Sequence, residues 1–413
     1  STQGVSSAAS DVYKRQGLWK RESVILAYVR TPFGKFGGAL RPLEATELGG
    51  IAIRGAIDRA GIKDSDIDYV LMGNVLQAGE GQIPSRQATR AAGLDWSVPS
   101  QTINKVCASS FTAVTLADMM IRAGNIDLAI AGGMESMSNA PFASKDMRWG
   151  HRMFNAEFKD LMVTDGLWDP WYDQHMGASA GKTAAEYKIS RQEQDRWAAI
   201  SQQRAQKAME AGRLDEDIVP VEVPQRKGDP IIVDKDEQPR KGVTEETLAK
   251  LSGLFFKENT VTAGNAPATN DGGSALVIAS RAKAEELGIK PLATIVDTDW
   301  VSKDSPYIVD VPGESIKKLL EANDLTVDDI DVFEVNEAFA AVVNRTQQIV
   351  AIPDEKLNVN GGAIAFGHPI GATGGRIIMQ LVSAMKQKNA KLGVAAICSG
   401  GAQGDAVLIR MED

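Results

Sequence analysis

Short apolar runs alternate along the chain with longer stretches in which apolar residues recur at helical spacing. Ser23–Tyr28 and Asp68–Asn74 read as buried strands, with a glycine-bearing loop, Arg30–Gly38, after the first. Glu47–Ala60, ended by Gly61, reads as a helix, and a second runs from near Pro84 to Gly93. Pro99–Ile103 is extended and Phe111–Met120 is a buried helix that opens on small residues. Leu128–Ala131 reads as a strand and Gly132–Ser136 as the turn that closes it. Strands alternating with helices predict an α/β protein whose mainly parallel sheet is covered on both faces.

From Ser138 the pattern changes. Trp, Met, Asp and Pro gather in irregular sequence as far as His175-Met176-Gly177; helices at Ser179–Tyr187 and Arg191–Ala211 and a charged segment to Lys257 follow. This reads as an insertion of about 130 residues, the kind of segment that carries ligand contacts on a rigid scaffold. The α/β pattern then resumes with strands at Ala275–Ala279, Pro291–Val296 and Gly393–Ile397 and a helix at Ser315–Ala322. The expected division is 21–137 with 270–290 as one half, 138–269 as the inserted unit and 291–413 as the other half. Residues 1–20 are small and polar at their start, lack the apolar core of a secretory signal, and read as a disordered leader or a cloning remnant.

The two halves repeat. Ala60–Val70 and Asn323–Phe333 both run from a helix end through an acidic turn and Asp-Ile-Asp into a strand, with Ile67 and Ile330 263 residues apart. At nearly the same offset Cys107 falls opposite His368, and Ile397–Gly401 falls opposite the segment after Ala131. Two similar halves packed as a pseudo-dimer bring equivalent loops together at their interface.

Composition narrows the function. A formal net charge of -9 argues against nucleic acid or an anionic membrane as the main partner. No apolar run approaches the ~20 residues that span a bilayer. Two cysteines and three histidines make neither a disulfide framework nor a metal cluster, and scarce thiols fit a reducing, cytoplasmic setting.

The candidate chemistry centres on Asn104-Lys105-Val106-Cys107-Ala108-Ser109-Ser110-Phe111. A thiol at a helix start meets free N–H groups and the positive end of the macrodipole, both of which favour a nucleophilic thiolate. A buried, inert cysteine stays open on this segment alone. Three further motifs stand in the second half: Val335-Asn336-Glu337-Ala338-Phe339; the glycine-rich Asn358–Arg376 with Gly367-His368-Pro369, opening a helix near Gly371; and Cys398-Ser399-Gly400-Gly401-Ala402-Gln403-Gly404. The glycines lack the lysine and spacing of a phosphate-binding loop.

These four motifs, in this order and spacing, resemble those of thiolases, and the resemblance runs from about Ser23 to the C-terminus. It implies a five-layer α-β-α-β-α fold built from two repeated halves with an inserted loop domain. It implies coenzyme A thioesters as substrates, no separate cofactor or metal, and a homodimer or homotetramer. It also implies Cys107 as the acylated nucleophile, His368 as its activator, and Cys398 as the acid/base at the acetyl-CoA methyl group. Asn336 would hold a water in one oxyanion hole, and the N–H groups of Cys107 and Gly400 would form the other. His175 and Met176 match the family segment near the pantetheine, which Ala263, Ala338 and Phe339 would line. Leu167, Arg240 and Thr247 would grip the nucleotide half, the arginine by stacking on adenine. Pro267 stands where a serine commonly contacts pantetheine, and Ala402 where a third glycine is common.

The implied reaction is reversible Claisen condensation of two acetyl-CoA to acetoacetyl-CoA and CoA through an acetyl-cysteine. Degradative thiolysis of longer 3-ketoacyl-CoA chains is the alternative. A non-catalytic acyl-CoA binding protein and a Cys–His protease are readings from other classes, and neither accounts for the second cysteine and the repeat.

Overall fold

The computed structural model describes residues 21–412; the expected leader, 1–20, lies outside the described residues. The first half comprises β1 (Ser23–Arg30), α1 (Ala45–Ala60), β2 (Tyr69–Gly73), α2 (Pro84–Ala91), β3 (Ser100–Ile103), α3 (Ser109–Arg122) and β4 (Leu128–Ser136). Residues 138–269 follow as short hairpins and helices, of which α4 (Met176–Glu186) and α5 (Arg191–Glu210) are the longest, and β5 (Asn270–Ser280) returns to the sheet. The second half comprises β6 (Ala293–Ser302), α6 (Val311–Ala322), β7 (Val332–Val335), α7 (Ala340–Val350), α8 (Thr373–Lys388), β8 (Leu392–Ser399) and β9 (Gln403–Met411).

The repeat is visible in the strand order. The first half runs β3-β2-β4-β5-β1 and the second β7-β8-β9-β6, with β6 paired to β1 so that one mixed sheet crosses both halves. In each half the inner pair is parallel and the next two pairs are antiparallel. The second half reduces its outermost strand to a parallel bridge between Phe333 and Leu357, where the first has β2 beside β3. The repeated Asp-Ile-Asp also does the same work twice. Asp68 Oδ2 accepts from the N–H groups of Asp127 and Leu128, and Asp331 Oδ2 from those of Lys391 and Leu392. Each carboxylate thereby holds the start of the neighbouring strand.

Side-chain alternation along the strands builds five layers. In β1, Val24 and Leu26 face the outer helices of the first half, while Ile25 and Tyr28 face the centre. In β8, Val394 and Ala396 face the outer layer of the second half and Ala395 and Ile397 the centre. The central layer is the pair α3 and α8. Their N-termini meet closely: a Cβ on Gly374 would lie 2.3 Å from the Phe111 nitrogen, and Gly375 N–H donates to Ser110 Oγ at 2.8 Å. This contact brings the loops ahead of the two helices, with Cys107 and His368, to one place.

Two expectations are overturned: the sheet is not mainly parallel, since five of the eight strand pairings along it are antiparallel, and one expected turn is strand. Gly132–Ser136 is not a turn; β4 continues through it, paired from Gly132↔Ala275 to Ser136↔Asp271. The glycines are there for close approach, since a Cβ on Gly133 would lie 2.0 Å from the Gly371 carbonyl oxygen. Glu135, next along the strand, reaches the same loop and accepts from Gly371 N–H at 2.8 Å.

Residues 138–269 are tied in by buried charge. Arg30 on β1 makes a two-pronged ion pair with Asp236 at 2.6 and 2.8 Å. Glu337, just after β7, accepts from Trp197 Nε1 and Ser201 Oγ of α5, from Asn358 Nδ2 and from Ile364 N–H, at 2.7–3.0 Å. Glu337→Gln turns one acceptor oxygen into an amide facing those donors. It should cost ~2 kcal/mol, read as a lower midpoint of chemical unfolding at unchanged slope.

Candidate active site

Cys107 lies one residue ahead of the Ala108 cap of α3, in a loop whose backbone is held in an unfavourable shape. Val106 has φ +46, a left-handed conformation that a β-branched residue adopts only when its surroundings force it. Asn104 Oδ1 accepts from Val106 N–H at 3.0 Å, Ser109 Oγ accepts from Lys105 N–H at 2.9 Å, and the same hydroxyl donates to the Val106 carbonyl at 2.6 Å.

His368 is held from both sides. Its main-chain N–H donates to Asn270 Oδ1 at 3.0 Å, and its ring Nδ1 lies 2.7 Å from Thr373 Oγ1 in the first turn of α8. The threonine hydroxyl donates to the Pro369 carbonyl at 2.8 Å, so it accepts from Nδ1–H. This assigns the lone pair to Nε2, which has no hydrogen-bond partner among the described residues.

Cys107 and His368 line one cavity of about 170 Å³. Leu167, His175, Met176, Pro267, Ala338 and Phe339 line it with them. Cys398 is fully buried at the end of β8, and its thiol is raised well above its ordinary range, first by burial and then by the neighbouring Cys107. Gly400 faces the adjoining void of about 590 Å³, and a Cβ on it would lie 3.1 Å from Val106 Cγ2, which sets it against the Cys107 loop. Asn336 is fully buried, and neither atom of its amide has a partner among the described residues. Arg240, Thr247 and Ala263 are exposed and do not line the cavity. Thr247 serves the box that caps the short helix Glu245–Leu248. Leu167 stands with Cys107, apart from the arginine and threonine it was grouped with.

Two features escaped the sequence reading. Phe255 stacks on His175 with ring centroids 4.1 Å apart, and Ile308 walls both cavities. The paired Phe255-Phe256 in a charged stretch was the available signal for the first. His175 itself caps α4, its Nδ1 accepting from Gly177 N–H at 3.0 Å, and burial holds its pKa down to about 4.

The expected thiolate is also corrected. Burial pushes the Cys107 thiol up to about 12; its own N–H lowers it and buried Glu135 raises it further. Burial, aided by the Arg376 charge, holds His368 down to about 3. Burial thus favours the neutral thiol and the neutral imidazole, because loss of solvation opposes the helix start.

A family model of the thiolase N-terminal domain matches residues 23–282, and one of the thiolase C-terminal domain matches 289–411. The chain belongs to the thiolase family. Acetyl-CoA acetyltransferase of Cupriavidus necator is 46% identical to this thiolase over 386 residues, 94% of this chain and 98% of that protein. A probable acetyl-CoA acyltransferase of Staphylococcus epidermidis is 45% identical over 387 residues, 94% of this chain and 98% of that protein. The crystal structure of the Bacillus anthracis acetyl-CoA acetyltransferase superposes on this thiolase with a TM-score of 0.93 at 38% identity, covering 96% of this chain and 100% of that one. Among the described residues, no helix is long and apolar enough to cross a membrane.

Proposed function

We propose that this thiolase is an acetyl-CoA C-acetyltransferase, an acyltransferase that condenses two acetyl-CoA to acetoacetyl-CoA and CoA and runs the reverse thiolysis. The observation that carries the reading is the shared cavity of Cys107 and His368, whose ~170 Å³ holds about six waters' worth of ligand. That suits an acetyl group and the tip of a pantetheine arm.

The first step uses Cys107 and His368. Nε2 takes the Cys107 proton as the sulfur attacks the acetyl-CoA carbonyl; the sulfur–carbon bond to CoA breaks and the departing CoA thiolate receives that proton. In the second step Cys398 passes its own proton to the freed Nε2 of His368 and, as the thiolate, removes a methyl proton from a second acetyl-CoA. The enolate carbon attacks the acetyl-cysteine, the carbon–carbon bond forms, and the Cys107 thiolate leaves and takes its proton from Nε2–H of His368. The N–H groups of Cys107 and Gly400 face the oxygen of the acetyl-cysteine, and the Asn336 amide, through a water, faces the enolate oxygen. A fully buried amide without a partner is costly, which supports a role for Asn336 toward a ligand. Asn336→Ala should lower kcat for condensation on the order of 10²–10³-fold with the fold intact by circular dichroism.

In this reading 138–269 is the inserted CoA-binding loop domain between the halves 21–137 with 270–290 and 291–413. Exposed Arg240 and Thr247 receive the nucleotide half, and Ala263 meets the pantetheine arm outside the cavity. Pro267 lines the cavity without the hydroxyl that commonly meets pantetheine. The enzyme acts without a separate cofactor or metal, as a cytoplasmic homodimer or homotetramer.

One observation favours the alternative, a 3-ketoacyl-CoA thiolase for longer chains. Met176 and Ile308 separate the cavity from the 590 Å³ void beyond, which would house a longer acyl chain if those side chains moved. Steady-state thiolysis of acetoacetyl-CoA against 3-ketooctanoyl-CoA decides between them. A higher kcat/KM for acetoacetyl-CoA supports the first; a clear preference for the longer chain establishes the second.

A further inference from the structure

Cys107 and Cys398 come from different halves, and a small polar cluster joins their loops. Lys105, two residues before Cys107, pairs its Nζ with Asp405 Oδ1 at 2.7 Å across 300 residues of sequence. Asp405 lies on β9, directly opposite Ile397 and next to the Cys398↔Gly404 pair of the β8–β9 hairpin. Ser399, the residue after Cys398, donates its hydroxyl to the Lys105 carbonyl. Lys105 is thus held by side chain and main chain at once, both times by residues flanking Cys398.

The ion pair is no ordinary surface contact. Its side chains are 22% and 9% exposed, and Asp405 Oδ2 has no other partner among the described residues. Burial raises the Asp405 carboxyl and Lys105 lowers it, so the lysine is its counter-charge. The pair also adjoins strained Val106, and a parallel bridge links Lys105 to Cys107 across it. Other contacts hold Cys107 relative to His368: Gly375 N–H on Ser110 Oγ, and Gly371 N–H on Glu135.

We propose that Lys105, Asp405 and Ser399 form a latch between the halves that sets Cys107 against Cys398, and that these positioning residues serve carbon–carbon bond formation rather than acylation. The inference rests on the reaction proposed above. Acylation needs Cys107 and His368, which the central helices hold together. Condensation adds Cys398, whose register against the acetyl-cysteine depends on the latch. A misplacement of about 1 Å between reacting groups costs on the order of 10²-fold in rate.

The test separates the two steps in the full-length enzyme. Rapid-quench labelling with radioactive acetyl-CoA reports acetyl-Cys107 formation. Acetoacetyl-CoA formation and deuterium entry into the acetyl-CoA methyl group in D2O report the steps that use Cys398. Lys105→Met, Asp405→Asn and the double variant are expected to acetylate within about threefold of the parent while condensation falls roughly 10–10²-fold, the double variant no worse than the worse single. Lys105→Arg should recover most of the condensation rate. Asp405→Asn is nearly isosteric and carries the test if Lys105→Met does not fold. Equal losses in both steps, no loss in either, or losses that add in the double variant would each overturn the latch. A parent enzyme that forms no acetyl-cysteine overturns the reaction itself, a pattern none of the variants can imitate.

Discussion

Cys107→Ser is expected to lower condensation and thiolysis together, by a factor on the order of 10⁴–10⁶, and to abolish acetyl-enzyme formation. The serine keeps the shape of the loop, so the change falls on the nucleophile. A hydroxyl is a far weaker nucleophile than a thiol, and His368, held near a pKa of about 3, is too weak a base to compensate. The neutral pair that burial favours adds a measurable consequence. With the thiol near 12, the thiolate fraction grows tenfold per pH unit across the neutral range, so iodoacetamide labelling of Cys107 should rise continuously between pH 6 and 9. A labelling rate independent of pH over that range would mean a thiolate–imidazolium pair and would refute the neutral assignment.

Cys398→Ala should split the reaction where Cys107→Ser does not. Acetylation of Cys107 continues, because the cavity, His368 and the oxyanion donors are untouched. Deuterium entry into the acetyl-CoA methyl group and acetoacetyl-CoA formation fall together, on the order of 10²–10⁴-fold, the usual worth of a positioned proton-transfer group. The sulfur is fully buried at the end of β8, so alanine also leaves a small void, and the variant's unfolding midpoint should be recorded beside its kinetics. Methyl exchange at the parental rate would assign the base to another residue.

Much of the scaffold was legible because local rules and the tertiary structure agree. The caps of α1 and α5, Gly61 and the Ser190–Glu193 box, stand where the apolar period stops and starts. The acidic turn repeats because each copy solves the same problem at the start of a strand. The reading failed where a residue answers to a distant neighbour. Gly132-Gly133 carries a turn signal, yet its purpose is to admit Ser274 and Gly371, more than a hundred residues away. The helix start at Cys107 suggested a thiolate, and burial, which no short window reveals, reversed it. Lys105 and Asp405 each look like solvated charges until the fold sets them 2.7 Å apart. Arg240, Thr247 and Ala263 came from the family pattern alone, and their exposure leaves them to be judged by coenzyme A binding.

The two Asp-Ile-Asp turns bear on how such a site can arise at all. A symmetric pair of identical half-length chains must present the same side chain from both sides of its axis: two thiols or two imidazoles, never one of each. Joining the copies in one gene frees each to mutate alone. The loop ahead of one central helix then carries the cysteine and its counterpart the histidine, while the carboxylates that hold the strands remain as the imprint of their common origin. Chemical asymmetry, on this view, is what duplication followed by fusion made available.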